Sequence, residues 1–274
     1  QINYLYLQII LKVNKKKGDL LSWGDFSFKR SNSKGLNSRK LNNYIGLGYC
    51  LTRDLNINDT VSDFDLKKVT TATIVAARLK SSRLKRKALL KIGNLSSIEY
   101  CLKNALKFND INHTILATSN LGSDDQLKHQ TLNSQVIFHQ GDPDDVVRRY
   151  LDIIDELKLD IVVRVTGDMP FISNDILQIL LKSHYKSGAD YTVGKDAAVG
   201  TNLEIINSAA LREIKKQFKS ADYSEYMTWY FQNNPEHFKL NFVDLPDHLV
   251  RNYRLTLDYQ EDLDMFNKVD KHFK

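Results

Sequence analysis

The chain has 274 residues, of which 42% are hydrophobic and 26% charged, as is ordinary for a water-soluble protein of about two domains. No apolar run approaches the roughly 18–20 residues that span a bilayer, and no signal peptide is recognisable. The two cysteines, Cys50 and Cys101, match no metal or redox spacing, and the seven histidines form no zinc-binding pair. We therefore expect a cytoplasmic protein without a membrane partner.

The net charge of +6 is distributed unevenly along the chain. Residues 1–70 hold 12 Lys and Arg against six Asp, which accounts for the whole surplus. Residues 71–100 hold seven cations against Glu99 alone, and the remainder is acidic. A nucleic-acid-binding protein more often spreads its cations along a face with stacking aromatics. Cations concentrated at one turn favour a small, highly charged ligand, so we expect no nucleic-acid partner.

The composition changes near residue 70. Residues 1–69 are rich in Asn, Ser, Gly and Lys and predict a small β-rich domain of short strands and turns. The rest of the chain alternates between strand-like and helix-like segments. This alternation predicts an α/β domain over residues 70–274, with a mostly parallel sheet and helices on both faces. The predicted strands are 72–77, 113–118, 135–139, 161–166 and 190–193, and the clearest helices are 143–157 and 174–186.

The ends of these two helices are also predicted. Asp142 is the expected N-cap of the first helix, with Pro143 at its first position. The second helix is expected to start at Ser173 or Asn174 and to stop before Gly188. The sequence shows no recognisable internal repeat.

The first candidate binding site is the stretch ATIVAARLKSSRLKRKALLKIGN, residues 72–94. It places a cationic loop directly after a predicted strand. Ligands of parallel sheets bind beyond the carboxyl ends of the strands, and Arg and Lys on such loops bind phosphate groups. The glycine pattern of a P-loop is absent, so by spacing alone a phosphate site and a solvated basic loop both remain open. The cations are Arg78, Lys80, Arg83, Lys85, Arg86, Lys87 and Lys91.

Two further stretches place a carboxylate after an apolar run. VVRVTGDMPFI (162–172) leads into Gly167 and Asp168, and YRLTLDYQEDLDMF (253–266) leads to Asp258 and an acidic helix start. Mg²⁺ is commonly held by one or two carboxylates together with substrate phosphates. The two aspartates would form a metal site if the fold brings them together, and solvated turns are the alternative.

These stretches resemble, in order and spacing, the motifs of the sugar cytidylyltransferases. They are most similar to the spore-coat-polysaccharide-protein-F type, kin to the synthetases of CMP-sialic acid and CMP-Kdo. The resemblance covers about residues 72–268 and implies a Rossmann-like nucleotide-diphospho-sugar transferase domain. It extends to HQGDPDDVVRRY (139–150), GTNLEIINSAAL (200–211) and SEYMTWYFQNNPEHF (224–238).

The resemblance implies Mg²⁺-dependent transfer of CMP from CTP to a sugar, with release of pyrophosphate. Arg78, Arg83 and Lys87 would grip the triphosphate, with Lys87 nearest the α-phosphate. Asp168 and Asp258 would hold the metal. On the same grounds Lys87, Arg78 and Asp168 are the expected catalytic residues. The expected nucleotide-binding residues are Ala77, Arg78, Ser81, Ser82, Arg83 and Lys87.

Gly200 and Glu204 are the candidates for the sugar side of the site, again from the resemblance. The sequence also departs from the family pattern. Lys80 stands where a small residue is usual, and Lys85-Arg86 stands where Pro-Gly is usual. Tyr259 to Asp262 replace Thr-Pro-Glu-Asp. Because glycine lets backbone amides approach phosphate closely, its loss affects the loop.

Residues 1–69 resemble the SAF (antifreeze-like) domain that closes the sialic acid synthases. The similar stretches are NKKKGDLLSWGDFSFKRSNSKGL and IGLGYCLTRDLNINDTVSDFDLKK. The resemblance implies a SAF-like domain truncated at its start, an upstream synthase barrel on the same polypeptide and a homodimer. A synthase and a cytidylyltransferase on one chain imply an acidic nine-carbon, sialic-acid-like sugar.

Several alternatives remain open from the sequence. The N-terminal segment could instead be a spacer or dimerisation module. The transferase could use another nucleotide or sugar. DPD at 142–144 is formally the metal motif of a related-fold glycosyltransferase, and a non-enzymatic carbohydrate-binding module is a further reading.

Overall fold

The structure is a computed structural model that describes residues 6–218 and 227–273. The first three residues of SEYMTWYFQNNPEHF (224–238), a stretch that belongs to the resemblance, lie outside the described residues. The strands are β1 (Tyr6–Leu11), β2 (Phe26–Ser31), β3 (Tyr49–Leu51), β4 (Leu66–Lys68), β5 (Thr71–Ala76), β6 (Lys91–Ile92), β7 (Leu95–Ser96), β8 (His113–Ser119), β9 (Ile137–Gly141), β10 (Ile161–Thr166), β11 (Tyr191–Lys195), β12 (Glu204–Asn207) and β13 (Leu240–Asp244). The α-helices are α1 (Ser38–Leu41), α2 (Ser97–Ala105), α3 (Val146–Leu157), α4 (Asn174–Ser187), α5 (Ser208–Gln217), α6 (Met227–Gln232) and α7 (Gln260–His272).

One seven-stranded sheet organises the chain from β5 onward, in the order β13-β11-β12-β10-β5-β8-β9. Strand β5 is parallel to both β8 and β10, β8 is parallel to β9, and β11 is parallel to β13. Within this sheet β12 is antiparallel to its neighbours β10 and β11. The predicted, mostly parallel sheet is therefore confirmed. Since β8 and β10 flank β5 on opposite sides, the topological switch point where such folds bind ligands lies between β5 and β10.

Helices cover both faces of the sheet, as predicted. Consecutive side chains of a strand point to opposite faces. Ile74 accordingly packs into a core with α3 and α5, whereas Val75 packs into a second core with α2 and α4. Strands buried on both faces read as nearly continuous apolar runs, which explains why these segments were recognisable in the sequence.

The predicted start of α3 is wrong by three residues. Asp145, not Asp142, is the N-cap, and its side chain accepts a hydrogen bond from Arg148 N at 2.9 Å. Asp142 instead accepts from the amides of Asp144 and Asp145 at 2.9 and 2.8 Å, which closes a turn ahead of the helix. The predicted ends of α4 are confirmed, with Ser173 as N-cap and Gly188 at φ +63° as C-cap.

The segment before β5 contains two antiparallel pairs, β1 with β2 and β3 with β4. It has a hydrophobic cluster of its own, formed by Ile9, Leu11, Leu21, Leu36, Leu41, Leu51, Leu55 and Val61. Other side chains of the segment, including Leu20 and Cys50, pack into the α2–α4 core of the large sheet. The SAF-like character of this segment and the boundary at residue 69 stay predictions.

The backbone hydrogen bonds of this N-terminal segment repeat in two matching halves, a repeat that the sequence analysis missed. Lys15 and Leu55 are at the centre of the pattern and exchange both backbone hydrogen bonds at 2.8 Å. Equivalent residues lie 40 positions apart and make equivalent bonds, and the identical pairs among them include Leu11 and Leu51, Asp19 and Asp59, and Asp25 and Asp65. The matching bonds are Leu11 N to Asp59 O and Leu51 N to Asp19 O, Lys12 N to Asp25 O and Thr52 N to Asp65 O.

The N-terminal segment attaches at the amino ends of the parallel strands. Asp160, just before β10, accepts hydrogen bonds from Lys67 Nζ at 2.8 Å and from Thr70 N at 2.9 Å. At the start of the loop after α4, Gly188 lies against the Leu20 carbonyl. The segment is therefore at the opposite edge of the sheet from the carboxyl ends of β5 and β10. No helix in residues 6–218 and 227–273 is long and apolar enough to cross a membrane.

Candidate active site

Lys87 lies between the two aspartates that the sequence singled out. Its ammonium donates to Asp168 Oδ2 at 2.7 Å and to Asp258 Oδ1 at 3.0 Å. Arg83 Nη1 lies 3.4 Å from the same Asp258 oxygen. Residues from the ends of β5, β10 and the stretch before α7 thus meet at the switch point, a meeting that sequence spacing could not decide.

The loop after β5 is held in place by a buried carboxylate. Asp124 is 1% exposed, accepts the Leu79 amide at 2.8 Å and accepts a short hydrogen bond from the Ser119 hydroxyl. The loop then enters a one-turn 3₁₀ helix, Lys87–Leu89, preceded by Arg86 in the left-handed conformation with φ +53°. The resemblance implies glycine at this position, so Arg86 adopts the conformation without the residue that favours it.

Gly167 brings the ends of β5 and β10 together. Its amide donates to Ala76 O at 2.8 Å, and a Cβ at this position would lie 2.8 Å from both the Ala77 Cβ and Ile98 Cδ1. A side chain would push β10 away from the loop. The neighbouring Asp168 is oriented by Thr166, whose hydroxyl donates to Asp168 Oδ1 at 2.6 Å.

Asp258 is positioned through the first turn of α7. Asp262 accepts hydrogen bonds from the amides of Asp258 and Tyr259 at 2.8 and 2.9 Å, and its other oxygen pairs with Arg254. The Leu257 amide donates to Asp168 O at 2.9 Å, which fixes the two aspartates relative to each other. The replacement of Thr-Pro-Glu-Asp by Tyr259 to Asp262 therefore preserves the capping aspartate.

The charges of this cluster are mutually stabilising. Burial works to raise the pKa of Asp258, but the hydrogen bond and charge of Lys87, with help from Arg83, outweigh it and lower that pKa. Burial likewise works to lower the pKa of Lys87, and Asp168 and Asp258 reverse the effect and raise it. Lys87 is therefore an ammonium and Asp258 a carboxylate at neutral pH.

The cluster opens into a cavity of about 520 Å³. Its wall contains every residue predicted for the nucleotide and the metal: Ala77, Arg78, Ser81, Ser82, Arg83, Lys87, Asp168 and Asp258. It also contains three side chains that the sequence analysis missed, Arg149, Arg164 and Thr166. Arg149 lies within HQGDPDDVVRRY, a stretch that belongs to the resemblance, but it was not among the predicted site residues. Arg164 and Thr166 alternate with Val163 and Val165 on β10, and this polar face was the available signal.

The two residues predicted for the sugar do not line this cavity. Glu204 pairs with Arg164 and accepts a hydrogen bond from the Tyr191 hydroxyl at 2.6 Å, so it supports the cavity wall from behind. Gly200 has φ +94°, and a Cβ there would lie 2.2 Å from the Leu255 carbonyl. Glycine at this position lets the backbone pass close to the stretch that leads to Asp258. The sugar-binding role of both residues stays a prediction.

The donor set suits a hard divalent cation. Asp168 and Asp258 present carboxylate oxygens to one cavity, and oxygen is the preferred ligand of Mg²⁺. Within the described ranges no cluster of three or more His, Cys, Asp and Glu could hold a metal. A magnesium ion here would therefore need further oxygen ligands, such as the phosphates of a substrate, which is its common setting in proteins.

Comparison with known proteins defines the class of this fold and site. Residues 72–272 match the family model described as cytidylyltransferase. A solved structure of a cytidylyltransferase from Leptospira borgpetersenii serovar Hardjo-bovis superposes with a TM-score of 0.69 at 25% identity, over 75% of this chain and 88% of that one. The fold is thus that of a nucleotidyltransferase. The chain belongs to the cytidylyltransferase family, which confirms the resemblance of residues 72–268 to these enzymes.

Relatives in sequence point the same way. The spore coat polysaccharide biosynthesis protein SpsF of Bacillus subtilis (strain 168) is 29% identical over 69% of this chain and 81% of its own length. An uncharacterised protein of Methanocaldococcus jannaschii is 30% identical over 73% of this chain and 83% of its own length. A CMP:2-keto-3-deoxy-manno-octonic acid synthetase solved with CTP shares the fold, with a TM-score of 0.57 at 15% identity, over 75% of this chain and all of that one. The family model begins at residue 72, so the SAF resemblance stays a prediction.

Proposed function

We propose that the protein transfers CMP from CTP to an acidic nine-carbon, sialic-acid-like sugar in a Mg²⁺-dependent reaction, for the biosynthesis of a surface polysaccharide or glycan. The observation that carries the proposal is the meeting of Lys87 with Asp168 and Asp258 in one cavity with the cationic loop after β5. A site for a triphosphate needs cations for its phosphates and carboxylates for its metal. Both kinds of group line the same 520 Å³.

In the proposed reaction, a hydroxyl oxygen of the sugar bonds to the α-phosphorus of CTP. The bond from that phosphorus to the β-phosphate oxygen breaks, pyrophosphate leaves, and the hydroxyl proton is released. Arg78, Arg83 and Lys87 bind and orient the phosphate chain, with Lys87 directed at the α-phosphate. Positioning and charge neutralisation of this kind supply most of the catalysis in phosphoryl-type transfer.

Asp168 and Asp258 would hold the metal, joined by oxygens of the triphosphate. Bound Mg²⁺ would neutralise negative charge on the phosphates as pyrophosphate leaves. Thr166 and Asp262 orient the two carboxylates for this task. Lys87 and Arg83 offset the negative charge of the two carboxylates.

Two lines support an acidic sugar. Relatives of Rickettsia akari and Rickettsia canadensis are 3-deoxy-manno-octulosonate cytidylyltransferases, 30% and 29% identical over 44% and 47% of this chain, and their names specify a sugar acid. Residues 1–69 also resemble the closing domain of the sialic acid synthases. We propose on that basis a SAF-like N-terminal domain, an upstream synthase barrel and a homodimer. Buried free thiols at Cys50 and Cys101 support a cytoplasmic location.

The test is pyrophosphate release with Mg²⁺, offering CTP, UTP, ATP and GTP against a panel of sialic-type acids and neutral sugars. Release with CTP and a nine-carbon acid alone is the expected result. Release with another nucleotide or a neutral sugar would support nucleotidyl transfer but contradict the proposed substrates. Release that is insensitive to EDTA would contradict the proposed Mg²⁺ dependence.

A further inference from the structure

Arg149 is a buried cation in the wall of the cavity, and no carboxylate of the described residues forms a salt bridge with it. Its side chain is 2% exposed, and its guanidinium hydrogen-bonds only to backbone carbonyls of the described residues. Nε and Nη2 donate to Asp142 O at 3.2 and 2.5 Å, and Nη2 also lies 3.4 Å from Pro143 O. Three other arginines at the site, Arg83, Arg164 and Arg254, are each paired with a carboxylate.

A second guanidinium lies beside the first. Arg78 Nη1 donates to the same Pro143 carbonyl at 2.9 Å and lines the same cavity. Burial first, and then the charge of Arg78, lower the pKa of Arg149. Two like charges held close together in a poorly solvated wall repel each other, and an anion bound between them would offset that repulsion.

The surrounding structure holds Arg149 firmly in this position. A Cβ on Gly141 would lie 2.8 Å from the Arg149 Cγ, so the glycine at the end of β9 makes room for the side chain. The turn closed by Asp142 aims its carbonyl at the guanidinium. The neighbouring Arg148 differs in exposure and in partner: its side chain is 60% exposed and pairs with the Asp152 carboxylate at 2.8 Å.

We propose that Arg149, together with Arg78, binds an anionic group of the substrate at this wall of the cavity. This inference rests on the proposed function and assigns to Arg149 a role in recognising the substrate of that reaction. Either of two anions has the right chemistry, a phosphate of the nucleoside triphosphate or the carboxylate of the acceptor sugar. Both present paired oxygens to a guanidinium fork.

The experiment compares the full-length wild type with Arg149→Gln, Arg149→Lys and the control Arg148→Gln. Calorimetry with Mg²⁺ gives the affinities for CTP, pyrophosphate and cytidine. Steady-state rates give KM for the acid acceptor and for its methyl ester. If the anion is a phosphate, Arg149→Gln weakens CTP and pyrophosphate by about 10- to 100-fold and leaves cytidine unchanged. If it is the carboxylate, CTP affinity is unchanged and KM rises by a similar factor for the acid but not for the ester.

Arg149→Lys keeps the charge but not the fork, so it is expected to lose less than Arg149→Gln and serves if the latter does not fold. Arg148→Gln is expected to match the wild type throughout. The inference is overturned if both Arg149 variants keep the wild-type affinities and KM values, or if cytidine weakens as much as CTP. A wild type that binds neither CTP nor pyrophosphate would instead overturn the proposed function, so the two failures are distinguishable.

Discussion

Strand β10 carries an aspartate at each end, and the two do different work. Asp160 at the amino end is 10% exposed and accepts from Lys67 and from the Thr70 amide, both contributed by the N-terminal segment and its connection. Asp168 at the carboxyl end is 24% exposed, faces a cavity and shares the Lys87 ammonium with Asp258.

The difference shows which feature separates a structural carboxylate from a candidate catalytic one. Asp160 bonds to backbone, so its partner cannot move without unfolding the connection to β5. The partners of Asp168 are the side chains of Lys87 and Thr166, and Lys87 can turn to a ligand that enters the cavity. Asp160 and Asp168 are both carboxylates just outside a strand end, so residue type and distance from the strand do not distinguish them. Asp168 has side-chain partners that can be exchanged and lines the 520 Å³ cavity, and these two features make it the candidate catalytic residue.

The largest expected effect is at the carboxyl end of β10. Asp168→Asn should lower kcat for Mg²⁺-dependent pyrophosphate release by at least about 100-fold, because a charged oxygen ligand is lost where phosphate charge must be neutralised. The melting temperature should change little. Asp160→Asn is the matched control and should keep kcat within a few-fold. Equal losses of kcat in both variants would contradict the division of roles.

Lys87→Met tests the shared cation. We expect kcat to fall by roughly 10- to 100-fold and CTP affinity to weaken, since a charge-assisted contact to phosphate is lost. Stopped assays of pyrophosphate give the rate, and calorimetry gives the affinity. Lys91→Met, at an exposed position outside the cavity wall, is the control. Unchanged CTP affinity in Lys87→Met would remove this residue from the phosphate site.

The opposite end of β10 should respond in stability. Asp160→Ala leaves the Thr70 amide and Lys67 without their partner and should lower the free energy of unfolding by about 1–3 kcal/mol. Asp155→Ala breaks the exposed pair with Arg212 at 2.5 Å and should cost under about 1 kcal/mol. Urea unfolding curves measure both. A smaller loss in Asp160→Ala than in Asp155→Ala would contradict the structural role.

The charges around Asp258 predict a pH dependence. The pKa of this carboxyl is lowered below its ordinary 3.8 in the folded state, so its stabilising contribution is present above pH 3.8 and lost as the pH falls through the lower, folded value. The difference in unfolding free energy between wild type and Asp258→Asn should therefore be largest near pH 6 and shrink towards pH 3. A difference that grows on acidification would contradict the lowered pKa.

The smallest effect concerns the loop that links β5 to Lys87. Arg86 has φ +53°, which glycine tolerates better, so Arg86→Gly should be neutral or stabilising by up to about 1 kcal/mol. Lys85 is not in the left-handed region, and Lys85→Gly should be destabilising by about 0.5–1 kcal/mol. Thermal unfolding of both variants measures the contrast. A loss of stability in Arg86→Gly at least as large as in Lys85→Gly would show that the side chain outweighs the backbone.

The central strands of the fold were readable in the sequence because they are buried on both faces. The bounds of β10, Ile161–Thr166, agree with the prediction to the residue, and β5 starts and ends one position earlier than predicted. Helix starts were less secure. Asp142 and Asp145 both precede apolar positions at helical spacing, and which of them caps α3 depends on where the turn closes.

For the candidate site, the sequence by itself determined the residue types and their positions at the ends of apolar runs: the cations after β5, Asp168 after β10, and Asp258 before α7. It could not determine their meeting, because strand order and the path of the chain back to β10 depend on contacts between residues far apart in sequence. The tertiary structure decided three things that local pattern does not encode. It brought Lys87 between Asp168 and Asp258, placed Arg149 in the cavity wall, and set Glu204 behind Arg164. Periodicity reports which face of an element is buried, whereas the neighbour that a buried polar side chain meets is fixed only when the elements pack.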